Sequence, residues 1–543
     1  MNGTTTQRVR FYAQALFWVM FAAFAVILVA RTLAGTLIHW PMMTWSPLNV
    51  ESFSTVSFLL LLFARAEGGR GVPLIQAEGS LRETIGSIGL VVLLCFLAFY
   101  HSLGAPFLFD DYGHLMLVAH ASLHDMLAAF YRPHQDIFFR PLGFLSFFLD
   151  FQWARFHPNL WHSWSLIVHS LNCVLVYTLT RQLGFATLPS TLAAAVFALH
   201  GTRVEAVCWT DARFDLLATL FVLLGLVSLF EYAEHGGVRW LAAGFLFTAL
   251  ALISKEAAFC LPLLVLVLAG FKDPSSRKRL LRVVPPMFAL CVAVFAYRVW
   301  IIGGIGGYHT GGHADVLSLN AIRAAKAFLW RLWAVTFFPI NWSSGTGTWV
   351  QVLMPAFLAT LGVIAARSGI NKKHLQTALI LVIAAGLPVQ HLLLIRSDLA
   401  GARFLYMPTL GIAIFWAVIA NAFLHRKYAA YAIAASVLFF NASCLEWNIG
   451  IWKNVAETAR SACEAFGQEI TSLPGTVEVI GLPTQYRGVY FLRNAFPECV
   501  EVNSGVPAKR VVVADTGETD KADVDYKLYW NPESFRFTRS SPR

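Results

Sequence analysis

Two adjacent acids, Asp110 and Asp111, occur in the stretch PFLFDDYGHL directly after a long apolar run. A carboxylate that is held beside a substrate can take a proton from a hydroxyl group, which is general-base chemistry. In an extended segment neighbouring side chains point to opposite sides, so at most one of the two acids is expected to face a reacting atom. A solvated pair at a helix end, or an N-cap for the following helix, are the alternatives, and both stay open at this point.

Further ionisable residues recur at the ends of apolar runs. Charged groups at membrane depth are costly, and they usually face a cavity or one another. We expect these residues to line one polar cavity: Arg140, His200, Arg203, Glu205, Asp211, Arg213, Asp215, Lys255, Glu256, Arg396 and Arg403. Glu205 and Asp211 could instead pair with Arg203 and Arg213, and Arg403 could be an interfacial side chain that reaches toward water. A cation such as Lys255 would suit a phosphate group or neutralise a buried acid.

Histidines near the two acids raise the question of a metal site. His120 and His124 are four residues apart and His114 is nearby, but HASLH lacks the Glu that a hydrolytic zinc helix carries. We interpret these histidines as interfacial, and we predict interhelical hydrogen bonds for His162 and His169. No metal site is predicted and no cofactor is indicated; a divalent cation is compatible with the sequence but not indicated by it.

Apolar helices must position these residues. The chain has 543 residues and is 57% hydrophobic and 13% charged, about half the charged fraction of a soluble protein. Apolar runs of about 20 residues match a hydrocarbon core of about 30 Å. We therefore predict an all-α polytopic membrane protein with about 13 transmembrane helices. The expected spans are 11–30, 50–66, 85–103, 161–183, 187–201, 214–232, 238–254, 256–271, 280–302, 349–366, 376–395, 404–424 and 428–446.

Lysines and arginines are concentrated in every second loop between these spans, and this pattern predicts the orientation of the chain in the membrane. One set of loops holds Arg8, Arg10, Arg65, Arg70, Arg82, Arg181, Arg239, Lys272, Arg277, Lys278, Arg279, Arg282, Arg367, Lys372, Lys373, Arg426 and Lys427. The positive-inside rule makes that set cytoplasmic, with the N-terminus inside and the C-terminal tail outside the cytoplasmic membrane. The net charge of +10 is thus explained by the membrane topology, and no nucleic-acid partner is expected.

We divide the chain into three parts. Residues 1–84 carry two extra N-terminal spans, residues 85–446 form the transmembrane core, and residues 447–543 form a small extracytoplasmic α/β domain. In that last part a helix is expected at 447–472, followed by short strands. The strand-like runs are VEVIGL, GVYFL, RVVVAD and YKLYW.

Three segments between or within the spans have their own patterns. In the first outer loop, 104–160, apolar residues from Met116 to Phe130 recur every three or four positions, which predicts one amphipathic surface helix. Segment 321–340 mixes cations with Trp and Phe and is expected to be interfacial or re-entrant. The short runs 187–201 and 256–271 are expected to be tilted or buried within the bundle.

The eight cysteines do not form a disulfide framework. Cysteines in apolar runs are expected to be inert core residues: Cys95, Cys173, Cys260 and Cys291. Cys463 and Cys499 lie in the polar tail and could pair if that tail is outside the cytoplasm, although spacing alone does not show it.

The order of several motifs resembles a known family. The motifs are FDDYGH, FRPLGFLSF, HSWSLIVHSLNCVLVY, ALHGTRVEAVCWTDARFDLLATLF, LALISKEAAF and GARFLYMPTLG. This series resembles the polytopic GT-C glycosyltransferases, in particular the protein O-mannosyltransferase-like branch that includes the transmembrane-and-tetratricopeptide O-mannosyltransferases. The resemblance covers roughly residues 85–450, and the combined order of the motifs is more specific than any one of them.

The resemblance implies a catalytic transmembrane domain that transfers a sugar from a polyprenyl-phosphate donor to an acceptor hydroxyl at the outer membrane face, with inversion. It implies that Asp110 is the general base and that Asp111 has the companion position. Lys255 and Arg403, together with Arg140, would hold the donor phosphate. Besides the donor, the expected partners are membrane lipid and an acceptor protein, lipid-linked glycan or cell-envelope polymer.

The chain also departs from the family pattern. His200, Glu205, Arg213 and Asp215 match the family's HP…E…GRaD series, but Gly201 replaces the proline and DARFD replaces GRaD. The tetratricopeptide repeats are missing, so acceptor recognition by such repeats does not carry over. Two other functions stay open, a transporter or lipid-carrier flippase and a structural membrane protein. Charges at span ends and the lack of a clear internal repeat favour the transferase over the transporter.

Overall fold

The computed structural model of the chain describes most of the helical core and most of the tail. The described residues are 47–66, 74, 79–133, 138–307, 309–310, 313–314, 329, 331–341, 353, 356–357, 359–364, 369–388, 395–396, 398–492, 494–514 and 524–539. The expected span at 11–30 lies outside them, and so do Arg8 and Arg10. The spans at 349–366 and 376–395 and the segment 321–340 are described only in part.

The core is a bundle of α-helices joined by short connections. The described helices are α1 (Pro47–Arg65), α2 (Leu81–Phe99), α3 (Asp110–His120), α4 (Leu123–Ala128), α5 (Pro141–Ala154), α6 (Pro158–Gln182), α7 (Thr187–Leu199), α8 (Arg203–Cys208), α9 (Arg213–His235), α10 (Val238–Leu252), α11 (Leu261–Leu268), α12 (Pro274–Ile302), α13 (Leu332–Phe337), α14 (Lys372–Gly386), α15 (Thr409–Phe423), α16 (Lys427–Thr471) and α17 (Phe496–Ser504). Short 3₁₀ turns precede or follow several of them, at Tyr100–Ser102, Thr210–Ala212, Glu256–Cys260, Ala269–Phe271, Ala402–Leu405 and Ala508–Arg510.

Several of these helices have the length and composition of membrane spans. Five described stretches qualify: Leu81–Ser102, Pro158–Gln182, Thr210–His235, Pro274–Ile302 and Lys427–Thr471. On α2, Leu90, Leu93 and Leu97 are 48%, 51% and 59% exposed, as expected of side chains that face lipid. The protein is therefore an integral multi-pass membrane protein, and the predicted helical class is confirmed. The number of thirteen spans stays a prediction.

Of the two shortest predicted spans, 187–201 lies inside the bundle and 256–271 is partly buried in it. α7 has 13 residues, a length of about 20 Å, and every residue from Leu192 to Leu199 is buried. It packs against α2, α6 and α15. The run 256–271 is divided into a 3₁₀ turn, the short helix α11 and a second 3₁₀ turn. Burial in the protein removes the need to match the thickness of the bilayer.

The surface helix of the first outer loop differs from its prediction. It consists of two helices, α3 and α4, because α3 ends at His120 and Ser122 caps the start of α4. The Ser122 hydroxyl accepts a hydrogen bond from the Asp125 backbone N–H at 3.2 Å, and Asp125 Oδ2 accepts one from the Ser122 N–H at 2.9 Å. This reciprocal capping box starts a new helix within the apolar pattern.

The last predicted span and the first tail helix form one continuous element. α16 is 45 residues long, which corresponds to about 68 Å. It passes through the boundary expected at 446–447, where the sequence LEWNIG contains no proline to end the helix. The core and the tail thus share one continuous helix.

The tail forms a small α/β unit at the end of α16. A four-stranded sheet has the order β6 (Val511–Val513), β3 (Val477–Ile480), β7 (Tyr526–Asn531), β8 (Arg536–Thr538). β3 is parallel to both neighbours, pairing Val477 with Val511 and with Tyr526, and β8 is antiparallel to β7. A separate hairpin joins β4 (Gln485–Tyr486) to β5 (Val489–Tyr490), and β1 (His309–Thr310) pairs with β2 (His313–Ala314) elsewhere.

A disulfide fixes the tail to α16. Cys463 on α16 is bonded to Cys499 on α17, 36 residues later, which is the pairing that the sequence left open. The other six cysteines are buried and are not disulfide-bonded. The tail is therefore held by a helix, a covalent bridge and its own sheet.

Candidate active site

The polar residues that were predicted at span ends gather at one end of the bundle. α2, α7 and α10 run toward this end, and α6, α9, α11 and α15 start from it. We call it the site end. At the opposite, basic end, Lys272 Nζ donates to the Gln182 carbonyl at 2.7 Å and the Phe271 ring stacks on His374 at 5.0 Å.

Asp110 and Asp111 occupy the first turn of α3. Phe109, the residue before them, has a φ of 53°, a left-handed backbone conformation that is uncommon for a bulky residue. This turn redirects the chain from the buried stretch Phe107–Phe109 into the helix. Since helical neighbours are about 100° apart, the two carboxylates have different surroundings.

Asp111 is a buried structural acid. Its side chain is 3% exposed, its Oδ2 accepts a hydrogen bond from the Leu108 N–H at 3.0 Å, and its Oδ1 accepts one from the Asp211 N–H at 2.8 Å. Burial raises the pKa of Asp111 well above its usual range, although the hydrogen bond from Leu108 acts in the opposite direction. Asp111 thus ties the start of α3 to the 3₁₀ turn that precedes α9.

Asp110 is half-buried and faces the open side of the site. Its Oδ1 accepts a hydrogen bond from Asn494 Nδ2 at 3.1 Å. Burial and the nearby Asp211 carboxylate raise the pKa of Asp110 to about 6, while Asn494, His114 and Arg403 act against that rise. A carboxylate with a pKa near 6 is well suited to take up a proton at neutral pH.

His114 was not predicted as a site residue. Its Nδ1 lies 2.7 Å from Asp211 Oδ1, and the carboxylates of Asp211, Asp110 and Asp111 raise the pKa of His114 although burial lowers it. Four positions separate Asp110 from His114, which is the spacing of one helical face. If the segment had been treated as a helix that begins at Asp110, the spacing would have placed His114 on the same face as Asp110.

Three predicted cations lie at the site end, each beside an acid. Lys255 Nζ donates to Asp215 Oδ2 at 2.5 Å, and Arg403 forms an ion pair with Glu205. The pKa of Lys255 is lowered by burial and by the charges of Arg140 and Arg403, against the effect of Asp215. These mutual influences show that the cations belong to one charged cluster.

Arg140 completes that cluster from the N-terminus of α5. Its Nε and Nη2 donate to Glu256 Oε2 at 3.0 and 2.8 Å, and Arg298 Nη2 reaches the other oxygen of Glu256 at 3.3 Å. Burial lowers the pKa of Arg140, but the charges of Glu256, Asp215 and Asp211 outweigh this effect, so that the pKa lies above its usual value. Glu256 therefore bridges two arginines of the site end.

Aromatic rings enclose Arg403. Its guanidinium carbon lies 4.7 Å from the centre of the Trp209 ring and 5.3 Å from that of Tyr490. Trp209 and Tyr490 stack on each other with centroids 5.3 Å apart. Cation–π contacts and aromatic packing hold the arginine in place, in addition to its ion pair.

Other predicted cavity residues are engaged inside the protein. His200 Nε2 is 2.8 Å from the Thr336 carbonyl, and Arg203, which is fully buried, donates to the Phe197 and Tyr406 carbonyls. Arg213 pairs with Asp150 rather than with Asp211, and Glu205 with Arg403 rather than with Arg203. These contacts support the walls of the site; a direct role in substrate binding stays a prediction for these residues.

Gly201 occupies a close approach. A Cβ at this position would collide with the Pro339 carbonyl oxygen. The Asn448 Nδ2 on α16 donates to the carbonyls of Gly201 and Pro339, both at 2.9 Å, while its Oδ1 accepts from the Asn341 N–H at 3.0 Å. The glycine that departs from the family pattern thus lets α16 and the segment after α13 approach α7.

His169 on α6 forms an interhelical contact as predicted, since its Nε2 lies 3.2 Å from the Ala198 carbonyl on α7, whereas the partners of His162 and of His169 Nδ1 lie outside helices. His162 Nε2 is 3.0 Å from the Ala105 carbonyl, and His169 Nδ1 is 2.7 Å from the Tyr406 hydroxyl. Within the described part of the chain, Cys95, His169 and Cys173 form a buried group whose ligand atoms lie within 4.8 Å of one another. Because both nitrogens of His169 already contact protein oxygens, we assign this group to packing.

The fold and this site define a multi-pass membrane protein with a carboxylate and several cations at one end of its helical bundle. Its sequence is similar to those of protein O-mannosyl-transferases, so the predicted resemblance is confirmed. It is 24% identical to human protein O-mannosyl-transferase TMTC4 over 458 residues, which covers 69% of this chain and 61% of the relative. It is also 24% identical to human TMTC3 over 332 residues, or 52% of this chain and 35% of the relative. The chain thus spans about a third to three-fifths of the length of these relatives.

Two solved structures show a coarse likeness to this chain. The oligosaccharyltransferase of Archaeoglobus fulgidus, in a complex with Zn and sulfate, has a TM-score of 0.42 at 13% identity and covers 78% of this chain and 62% of its own. ArnT from Cupriavidus metallidurans has a TM-score of 0.37 at 13% identity, and the matched region covers 80% of this chain and 86% of the ArnT chain. No protein-family model matches the chain.

Proposed function

We propose that the protein is a membrane glycosyltransferase that moves a sugar from a polyprenyl-phosphate carrier to an acceptor hydroxyl at the outer face of the membrane. The observation that carries this proposal is the placement of Asp110, a half-buried carboxylate with a raised pKa, in the same charged cluster as Arg403. The sequence similarity to protein O-mannosyl-transferases supports it.

The chemistry follows from these groups. The acceptor oxygen attacks the anomeric carbon of the sugar while Asp110 takes the hydroxyl proton. The bond between that carbon and the phosphate oxygen breaks, and the phosphate leaves with the electron pair, so the configuration at the sugar inverts. A phosphate is already a good leaving group, and the site has to stabilise its charge rather than protonate it.

Lys255, Arg403 and Arg140 would provide that stabilisation. Each is paired with an acid, but an ammonium group carries three donors and a guanidinium five. The pairs with Asp215, Glu205 and Glu256 therefore leave donor capacity for phosphate oxygens. The acids keep the cations oriented at the site end when no phosphate is bound.

A transfer assay tests the proposal. The purified protein is incubated with radiolabelled polyprenyl-phosphate mannose and a hydroxyl-bearing peptide, and Asp110→Asn is compared with the wild type. We expect a 10²- to 10⁴-fold loss of rate, the usual contribution of a general base. Asp125→Asn on α4 is the matched control, because Asp125 is an exposed cap residue, and it should keep its rate.

The cations need a second comparison, because removing one leaves its acid unpaired in the protein. Arg403→Gln combined with Glu205→Gln removes both charges, and Arg403→Lys keeps the positive charge. We expect the double variant to raise the KM for the donor at least 10-fold and Arg403→Lys to raise it less. Full activity in Asp110→Asn, or a donor KM that does not respond to the double variant, would contradict the proposal.

A further inference from the structure

The C-terminal tail contributes side chains to the candidate site. The contacts come from residues 485–492 and 494–495, which we call the capping segment and which run from the β4–β5 hairpin to the start of α17. At one end of the segment, Arg396 Nη1 donates to Gln485 Oε1 at 3.0 Å and Asn341 Nδ2 donates to the Arg487 carbonyl at 2.7 Å. These bonds seat the hairpin on the site end of the bundle.

The middle of the segment lies against Arg403. Tyr490 stacks on Trp209, its ring centroid is 5.1 Å from that of Phe109, and its face lies over the Arg403 guanidinium. Phe109 directly precedes Asp110. A single ring of the tail thus contacts both the residue that sets the turn before α3 and the cation assigned to the donor phosphate.

The end of the segment reaches the candidate base. Asn494 Nδ2 donates to Asp110 Oδ1 at 3.1 Å, and a Cβ at Gly113 would lie 3.4 Å from Ala495 Cβ. Beyond this point α17 packs along α3. The disulfide between Cys463 and Cys499 then anchors α17 to α16.

We infer that the capping segment is a part of the active site, in which Asn494 positions the Asp110 carboxylate and Tyr490 positions the Arg403 guanidinium. The catalytic roles in this inference rest on the proposed function, whereas the contacts that Asn494 and Tyr490 make do not depend on it. Asn494 is exposed and Asp110 is half-buried, so the amide contacts the carboxylate on its open side. An acceptor hydroxyl has to approach Asp110 beside Asn494, which makes the tail one wall of the acceptor position.

The protonation state of Asp110 reports its hydrogen bond with Asn494, and it can be measured without a transfer assay. The groups that face Asp110 are Asp211, His114, Arg403 and Asn494, and an amide N–H that donates to a carboxylate favours its charged form. A carbodiimide reacts with protonated carboxyl groups, so the pH at which Asp110 becomes half-labelled can be measured by mass spectrometry of its peptide. We expect Asn494→Ala to raise that midpoint by roughly half a pH unit.

Matched variants separate positioning from loss of structure. Asn494→Gln keeps an amide and should return the midpoint toward the wild-type value, and Asn454→Ala, an exposed asparagine on α16, should not move it. Formation of the Cys463–Cys499 disulfide verifies in each variant that the tail has folded. An unchanged midpoint in Asn494→Ala, with the disulfide intact, would overturn the inference for Asn494.

The second half of the inference concerns Tyr490. Tyr490→Phe keeps the ring over Arg403 and Tyr490→Ala removes it, so the donor KM should rise severalfold only in the alanine variant. Equal KM values in the two variants would overturn this half. If Asp110→Asn keeps full transfer while Asn494→Ala still shifts the labelling midpoint, the proposed function fails and the contact between tail and carboxylate stands.

Discussion

Asp110 and Asp111 are neighbours in the chain, but their carboxylate oxygens accept hydrogen bonds from different kinds of donor. Both oxygens of Asp111 accept backbone N–H donors, whereas the contact of Asp110 comes from an exposed amide. Only Asp110 combines access with a raised pKa near the physiological range. The difference comes from the turn at Phe109, which places one side chain inward and the other at the surface of the site.

The raised pKa of Asp110 predicts a pH dependence. A general base works in its deprotonated form, so kcat/KM should be constant above pH 7 and fall about tenfold per unit below the pKa of about 6. An aspartate with an ordinary pKa would place that limb near pH 4. The pH profile of transfer measures it, and a limb near pH 4 would show that Asp110 is not the group that titrates.

Asp111 has a structural role that predicts a loss of stability. In Asp111→Ala the N–H groups of Leu108 and Asp211 lose their acceptor, at a cost of about 1–3 kcal/mol each. Thermal unfolding in detergent should show a clearly lower Tm. Asp125→Ala loses only an exposed cap, worth about 1 kcal/mol, and a Tm loss no larger than in this control would contradict the role.

Among the elements, α16 and α7 are held together at the site end by Asn448. This side chain is 3% exposed and bonds to Gly201, Pro339 and Asn341. Asn448→Ala leaves these backbone groups without their partner, so we expect a large drop in Tm. Asn441→Ala is the control, because Asn441 is buried on the same helix and, among the residues that the structure describes, donates only to the Val437 carbonyl of that helix. Equal drops would show that the bridge adds nothing.

Sequence patterns predicted the elements better than the partners of their side chains. The apolar runs revealed α6, α9 and α12, because period and length depend on neighbouring residues. The pairing of Glu205 with Arg403, 198 positions away, depends on how helices pack, and local spacing contains no signal for it. The same holds for Asn494, which reaches Asp110 from 384 positions away. The break between α3 and α4 could have been predicted from Ser122 and Asp125.

At the scale of the whole molecule, we expect the site end and the basic end to lie on opposite sides of the membrane. The positive-inside rule predicts that the basic end is cytoplasmic and that the tail faces outward. A disulfide in the tail fits an oxidising compartment. The lipid carrier of the proposed reaction and the acceptor would meet on that outer side.

Labelling of single cysteines tests this orientation. Lys509 in the tail and Lys278 at the basic end are both exposed, and the six native cysteines outside the disulfide are buried. In intact cells a membrane-impermeant maleimide should label Lys509→Cys and leave Lys278→Cys unlabelled until the membrane is opened. The reverse pattern would place the proposed site on the cytoplasmic side.

The length of α16 also fixes a rotational angle. A helix turns by about 100° per residue, so the unbroken run from Asn448 in the core to Cys463 in the tail sets the direction in which the tail faces. One inserted residue between them would turn the tail by about 100° while both halves keep their own hydrogen bonds. Whether Asn494 meets Asp110 therefore depends on the number of residues between Asn448 and Cys463 in α16, as well as on the contacts that seat the β4–β5 hairpin.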